Sequence, residues 1–206
     1  MVRLAHFKRL MARLGGVCKV IIQRSISINY SMGKIKIILF CLFYFTSSVG
    51  FSKSGYQLRD KVQNTYISQL FVRELTGNND GIQVEKYLKY VWLKKGQPWC
   101  ASFVSWSFGQ NGITKARSGG CVQLMEQGKT IYKSGKTTEV PQKADVFFIY
   151  YSDKGRVAHT GFVDNWGTDF VTTVEGNTNG AGSREGNGVY RKKRIKRQIY
   201  AVSKYI

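Results

Sequence analysis

Apolar residues recur along this chain first with a helical period and later with the spacing of strands. From Tyr56 to Thr76, Leu58, Val62, Tyr66, Leu70 and Leu75 fall on or near one side, which predicts an amphipathic helix. Gly77-Asn78-Asn79-Asp80-Gly81 breaks it. A second helix is predicted from Ile82 to about Leu93, with Val84, Leu88 and Val91 inward and Asn79 or Asp80 as its cap. Pro98 suits the first turn of a third helix, in which Trp99, Phe103 and Trp106 recur at helical spacing beside Val104 and Phe108. Asn111-Gly112 is its stop signal. Residues 121–132 read as a further helix ending near Ser134-Gly135.

Beyond residue 140 the period shortens. Asp145 to Tyr151 is a near-continuous apolar run, as the centre of a sheet requires. Asp153-Lys154-Gly155 turns the chain into a strand from Arg156 to Asn165, and Trp166-Gly167-Thr168 turns it into Asp169 to Glu175. A glycine-rich loop, Gly176 to Gly188, precedes strands at 189–194 and 198–205. Helices followed by an antiparallel sheet define an α+β domain. There are no internal repeats.

The first 52 residues follow neither pattern. Residues 1–31 are basic and acid-free with no packed element predicted, and an over-extended start is expected for them, with a long cytoplasmic n-region as the alternative. Met32-Gly33-Lys34-Ile35-Lys36, the apolar run Ile37 to Phe45 and the small residues Ser48 and Gly50 form a secretory signal over residues 32–52. The run is too short for comfortable spanning of a bilayer, so no stable membrane anchor is expected. The expected mature domain is residues 53–206, secreted or periplasmic.

Composition sharpens this picture. The 206 residues carry a formal charge of +20 and are 43% hydrophobic, which is globular rather than disordered. Residues 1–52 hold eight of the 32 Lys and Arg and none of the 12 acids, so the remainder carries 24 basic residues against 12 acidic ones. A folded domain at +12 favours polyanions, anionic wall polymers among them. Export and the lack of any nucleic-acid motif leave Arg191-Lys192-Lys193-Arg194 and Lys196-Arg197 as a solvated strand pair rather than a nucleic-acid site.

Removal of the leader takes Cys18, Cys41 and His6 with it, leaving Cys100, Cys121 and His159. Cys100 opens the third helix, where unpaired N–H groups and the positive end of the dipole favour a thiolate. Ala101 and Ser102 beside it are small. A buried inert thiol is the plain alternative, and so is a Cys100–Cys121 disulfide, since two cysteines in an exported chain often pair. If Cys100 is a nucleophile, His159 is nearly forced to be its base. A three-residue hairpin at 166–168 pairs Asn165 with Asp169. That register puts His159 opposite Glu175, with Asn177 two positions along the same face. Either polar residue is then placed to hold the imidazole, as triad logic requires.

These stretches resemble a known family. Gly96-Gln97-Pro98-Trp99-Cys100-Ala101-Ser102-Phe103-Val104-Ser105-Trp106 is similar to the nucleophile motif of CHAP domains, the cysteine, histidine-dependent amidohydrolases/peptidases. Gly155 to Val163 resembles their histidine strand, Val174-Glu175-Gly176-Asn177-Thr178-Asn179 their third-polar-residue motif, and Arg73 to Gly81 fits upstream. The resemblance spans roughly residues 70–195. It implies a papain-like α+β fold of N-terminal helices on a C-terminal antiparallel sheet, shared with NlpC-type peptidases, and an enzyme that cuts amide bonds in peptidoglycan. By matching motif, Cys100 is the nucleophile, His159 the general base, Glu175 the orienting group and Asn177 an accessory. Gln97 is a candidate side-chain donor to the oxyanion, and Trp99 and Trp106 are candidates to line a groove, with at least one of the two expected in the core. Some members bind calcium through carboxylates just before the nucleophile, but Val91-Trp92-Leu93-Lys94-Lys95-Gly96-Gln97 has no acid. No metal or other cofactor is therefore expected, and the protein is expected to act as a monomer on peptidoglycan. The rival from another class is an exported basic binding module stapled by Cys100–Cys121.

Overall fold

The computed structural model describes residues 55–180 and 186–206. The leader and signal segments read from the sequence lie outside the described residues. Among the described residues four helices precede seven strands, as an α+β chain should: α1 (55–67), α2 (Ile82–Tyr90), α3 (Cys100–Gly109) and α4 (Cys121–Glu126). The strands are β1 (Lys129–Lys133), β2 (Lys136–Thr137), β3 (Val146–Tyr151), β4 (Arg156–Trp166), β5 (Phe170–Thr178), β6 (Gly188–Ile195) and β7 (Ala201–Lys204). They form one antiparallel sheet in the order β2-β1-β7-β3-β4-β5-β6.

Three helices are shorter than their periodicity predicts, the second ending at Tyr90 instead of near Leu93. The first stops at residue 67, and Phe71 and Leu75 are left exposed, because Arg73 is drawn into a bridge with Gly188 beside β6. The predicted helix 121–132 divides at Gly128. Its second half is β1, which pairs with β7 and turns through Ser134 (φ 48°) and Gly135 (φ 86°) into β2. Two consecutive left-handed residues are the signature of a hairpin turn, so Ser134-Gly135 joins two strands instead of ending a helix.

The core places α3 against the sheet. Tyr66 stacks on Phe162 with ring centroids 4.5 Å apart, and Phe103 and Phe108 meet the same ring edge-on at 6.0 and 5.2 Å. On the other side of α3, Tyr87 from α2 contacts Trp99, Phe103 and Trp106. Aromatic contacts of this kind add to the burial term and fix the helix in one orientation. Gly176 permits the close approach of β5: a Cβ there would lie 2.7 Å from the Trp99 ring and 2.8 Å from Phe103 Cβ. At the far end of α1, Arg59 is buried against Asp145 (2.8 Å) and also donates to the carbonyls of Lys143 and Ile206. This ties the first helix to the last residue of the chain.

Candidate active site

The start of α3 is clamped from upstream. Trp99 is fully buried at the N-cap position, and its indole Nε1–H donates to Glu74 Oε1 at 2.8 Å. The other oxygen of Glu74 accepts the Asn79 N–H at 3.0 Å. The segment from Arg73 to Gly81 thus holds the residue next to Cys100, which explains why that stretch accompanies the cysteine motif. Trp99 is therefore a packing residue and does not line a groove, a correction to the sequence expectation. Trp106 is half-buried against Tyr87. Gln97 is exposed just ahead of the helix.

Cys100 is only 5% exposed and His159 only 7%, and the imidazole lies close enough to the thiol for each to favour the charged form of the other. His159 Nε2–H donates to Glu175 Oε2 at 2.8 Å, which leaves Nδ1 as the nitrogen for the sulfur. Glu175 is 0% exposed and has further donors: Thr173 Oγ1 at 2.5 Å and Arg194, whose Nε and NH2 reach the two carboxylate oxygens at 2.5 Å each. The imidazole and the guanidinium share Phe147, whose ring centroid lies 6.2 Å from the imidazole and 5.9 Å from Arg194 Cζ.

The electrostatics follow from these contacts. The thiol of Cys121, 3.6 Å from Cys100 Sγ, is the largest influence holding Cys100 well below the usual thiol range; burial opposes this, and His159 and the Ala101 N–H add to it. Cys121 is pushed up correspondingly, by Cys100 first and by burial second. Burial disfavours a charged His159, yet Cys100 and Glu175 beside it outweigh that and raise it to about 9. Burial likewise works against an ionised Glu175, and Arg194 and His159 overcome it and hold the carboxyl well below its usual range. Both cysteines are free, so the disulfide of the rival reading is not formed here.

The route by which His159 meets Glu175 differs from the one the hairpin suggested. β4 and β5 pair Trp166 with Val171 and Asn165 with Thr172, then Val163 with Thr173 and Phe162 with Val174, skipping Asp164. Carried along the strands, this register puts Gly161, not His159, opposite Glu175. A Cβ on Gly161 would lie 3.0 Å from Glu175 Cγ, so its absence lets the carboxylate lean diagonally to the imidazole. Asn177 sits at a left-handed φ of 53°, where β5 carries an extra residue relative to β6, and the partner of Nε2 is Glu175. Arg194 and Thr173 were missed by sequence reasoning. The alternation of β6 turns Arg194 to the same side as half-buried Tyr190 and Lys192, between exposed Lys193 and Ile195. A cavity of about 590 Å³ lined by Tyr132, Asp169, Lys196 and Arg197 contains none of these groups.

Residues 92–177 match the family model described as CHAP domain, and the matched segment includes Cys100, His159 and Glu175. No curated protein and no solved structure matches the chain. The upstream Glu74 clamp and Arg194 both lie outside the matched segment.

Proposed function

We propose that the protein is an exported peptidoglycan hydrolase that cleaves amide bonds, as an N-acetylmuramoyl-L-alanine amidase or a peptide-stem endopeptidase. The observation that carries this reading is the buried chain Cys100–His159–Glu175 at the start of α3, inside the CHAP segment. Export rests on the basic, apolar and small-residue succession of residues 32–52.

In this mechanism His159 Nδ1 takes the Cys100 proton and the thiolate attacks the amide carbonyl. The oxyanion is stabilised by backbone N–H groups at the helix start, where no intrahelical partner exists, and by the exposed Gln97 amide. The imidazolium returns its proton to the leaving amine, giving a thioester and a free amine. His159 then deprotonates a water that attacks the thioester, releasing the carboxylate and restoring the thiol. Glu175 fixes the ring so that one nitrogen always faces the sulfur. Trp99 packs beneath the start of α3, and Asn177 sits in the bulge of β5.

Mass spectrometry of muropeptides after digestion tests this reading. New stem peptides freed from muramic acid identify an amidase, and new amine termini within the stem identify an endopeptidase. Intact muropeptides after prolonged digestion would refute both.

A further inference from the structure

We infer that Arg194 is a positioning residue for this reaction, holding Glu175 ionised and fixed so that the Cys100–His159 ion pair forms at neutral pH. The inference rests on Cys100 and His159 acting as nucleophile and base, and deepens that reading.

Arg194 lies on β6 opposite Val171, and its side chain runs diagonally along the face shared by Val171, Thr173 and Glu175. It reaches both carboxylate oxygens, a fork that a lysine could not reproduce. An exposed ion pair is worth little, but here the carboxylate is wholly buried and the guanidinium side chain is 16% exposed. A buried carboxylate facing an imidazole can stay charged or take the proton itself. Its second partner decides which.

When the thiolate–imidazolium pair forms, the side chains alternate in sign along one line: Cys100 negative, His159 positive, Glu175 negative, Arg194 positive. Without Arg194 the same line carries a net negative charge in a buried site, which raises the proton affinity of every member. The other titratable groups facing this line do not replace it. Tyr151 on β3 is held neutral by its partial burial, and Asp153 in the following turn adds negative charge near Tyr151. Arg156 at the start of β4 acts on Cys121. The guanidinium therefore acts through Glu175 and His159.

The test compares Arg194→Met and Arg194→Lys in the full protein. It uses the pH–rate profile on a soluble muropeptide and, without substrate, the pH dependence of Cys100 alkylation by iodoacetamide. Arg194→Met is expected to lose on the order of 10²-fold in kcat/KM or more. Both limbs of its profile, and the alkylation curve, should move to higher pH by about one unit. Arg194→Lys should keep the limbs in place at an amplitude reduced about tenfold or more. A Met variant with native near-ultraviolet circular dichroism whose limbs do not move would overturn the inference, since packing alone would then explain the loss. If the Met variant does not fold, wild-type amplitude in Arg194→Lys overturns it instead. The alkylation curve needs no substrate, so it reads Arg194 even if muropeptides prove not to be cleaved.

Discussion

Replacing Glu175 by Gln keeps the shape of the side chain and removes its charge. The carboxylate accepts four hydrogen bonds, one from His159, one from Thr173 and two from Arg194. A glutamine retains one acceptor oxygen and turns an NH2 toward one of these donors. The guanidinium is left without its counter-charge in a largely buried position, a defect that typically costs about 3–5 kcal/mol. His159 loses the acceptor that helps raise it from its ordinary 6.5 to about 9. Loss of an opposite charge at this distance lowers such a group by roughly 1–3 pH units, or about 1.4 kcal/mol per unit. The upper limb of the pH–rate profile should therefore fall toward neutrality, opposite in direction to the change expected for Arg194→Met. Stability follows with definite signs. The elevated His159 contributes stability that is fully present below pH 6.5 and lost as pH rises through about 9. The depressed Glu175 contributes stability present above its ordinary 4.5 and lost as pH falls. Urea titrations across pH 4–10 on wild type and Glu175→Gln should show the alkaline loss moving to lower pH in the variant. A variant with the wild-type profile and wild-type stability at pH 7 would refute the assignment of Glu175 as the partner of His159.

Asn177→Ala should cost less activity than Glu175→Gln, compared as kcat/KM on one muropeptide. Trp99→Phe removes the indole donor to Glu74 and part of a buried ring, and should lower stability by about 2–4 kcal/mol by urea denaturation with an unchanged m-value. Arg59→Met leaves Asp145 buried without its partner and should cost about 3–5 kcal/mol in the same assay. Cys121→Ala removes the main influence that lowers Cys100, so alkylation of Cys100 by iodoacetamide should begin at higher pH than in wild type; an unmoved curve would assign that influence to His159 instead.

The helix that opens on Cys100 was legible because its signals are local: Pro98 before it, aromatic residues at helical spacing and Asn111-Gly112 after it. The pairing of His159 with Glu175 was reached through a register that does not occur. The turn of the β4–β5 hairpin is longer than supposed, and the bulge at Asp164 then removes one position. The two departures sum to an even shift, so Glu175 kept its face while its position moved by two. The bulge is fixed by side chains far away in sequence, since Asp164 accepts bonds from Tyr66 and Gln63 of α1 and pairs with Arg191 of β6. Such contacts leave no periodic trace. Thr130-Ile131-Tyr132 suited either a helix or a strand, and only pairing with β7 decided between them. The basic run of β6 looked solvated because a charge count cannot tell which cations turn inward. Arg191, Lys192 and Arg194 each have a partner, in Asp164, the Asn179 carbonyl and Glu175.

The most direct test of the central claim is digestion of purified peptidoglycan by wild type and by Cys100→Ala, followed by mass spectrometry of the products. The side chain is replaced by a smaller one at a buried helix start, so the variant should fold. Its rate should fall by about 10³-fold or more, with cleaved muropeptides appearing only in the wild-type digest. Equal release of the same fragments by the alanine variant would contradict a mechanism in which Cys100 forms the covalent bond to substrate.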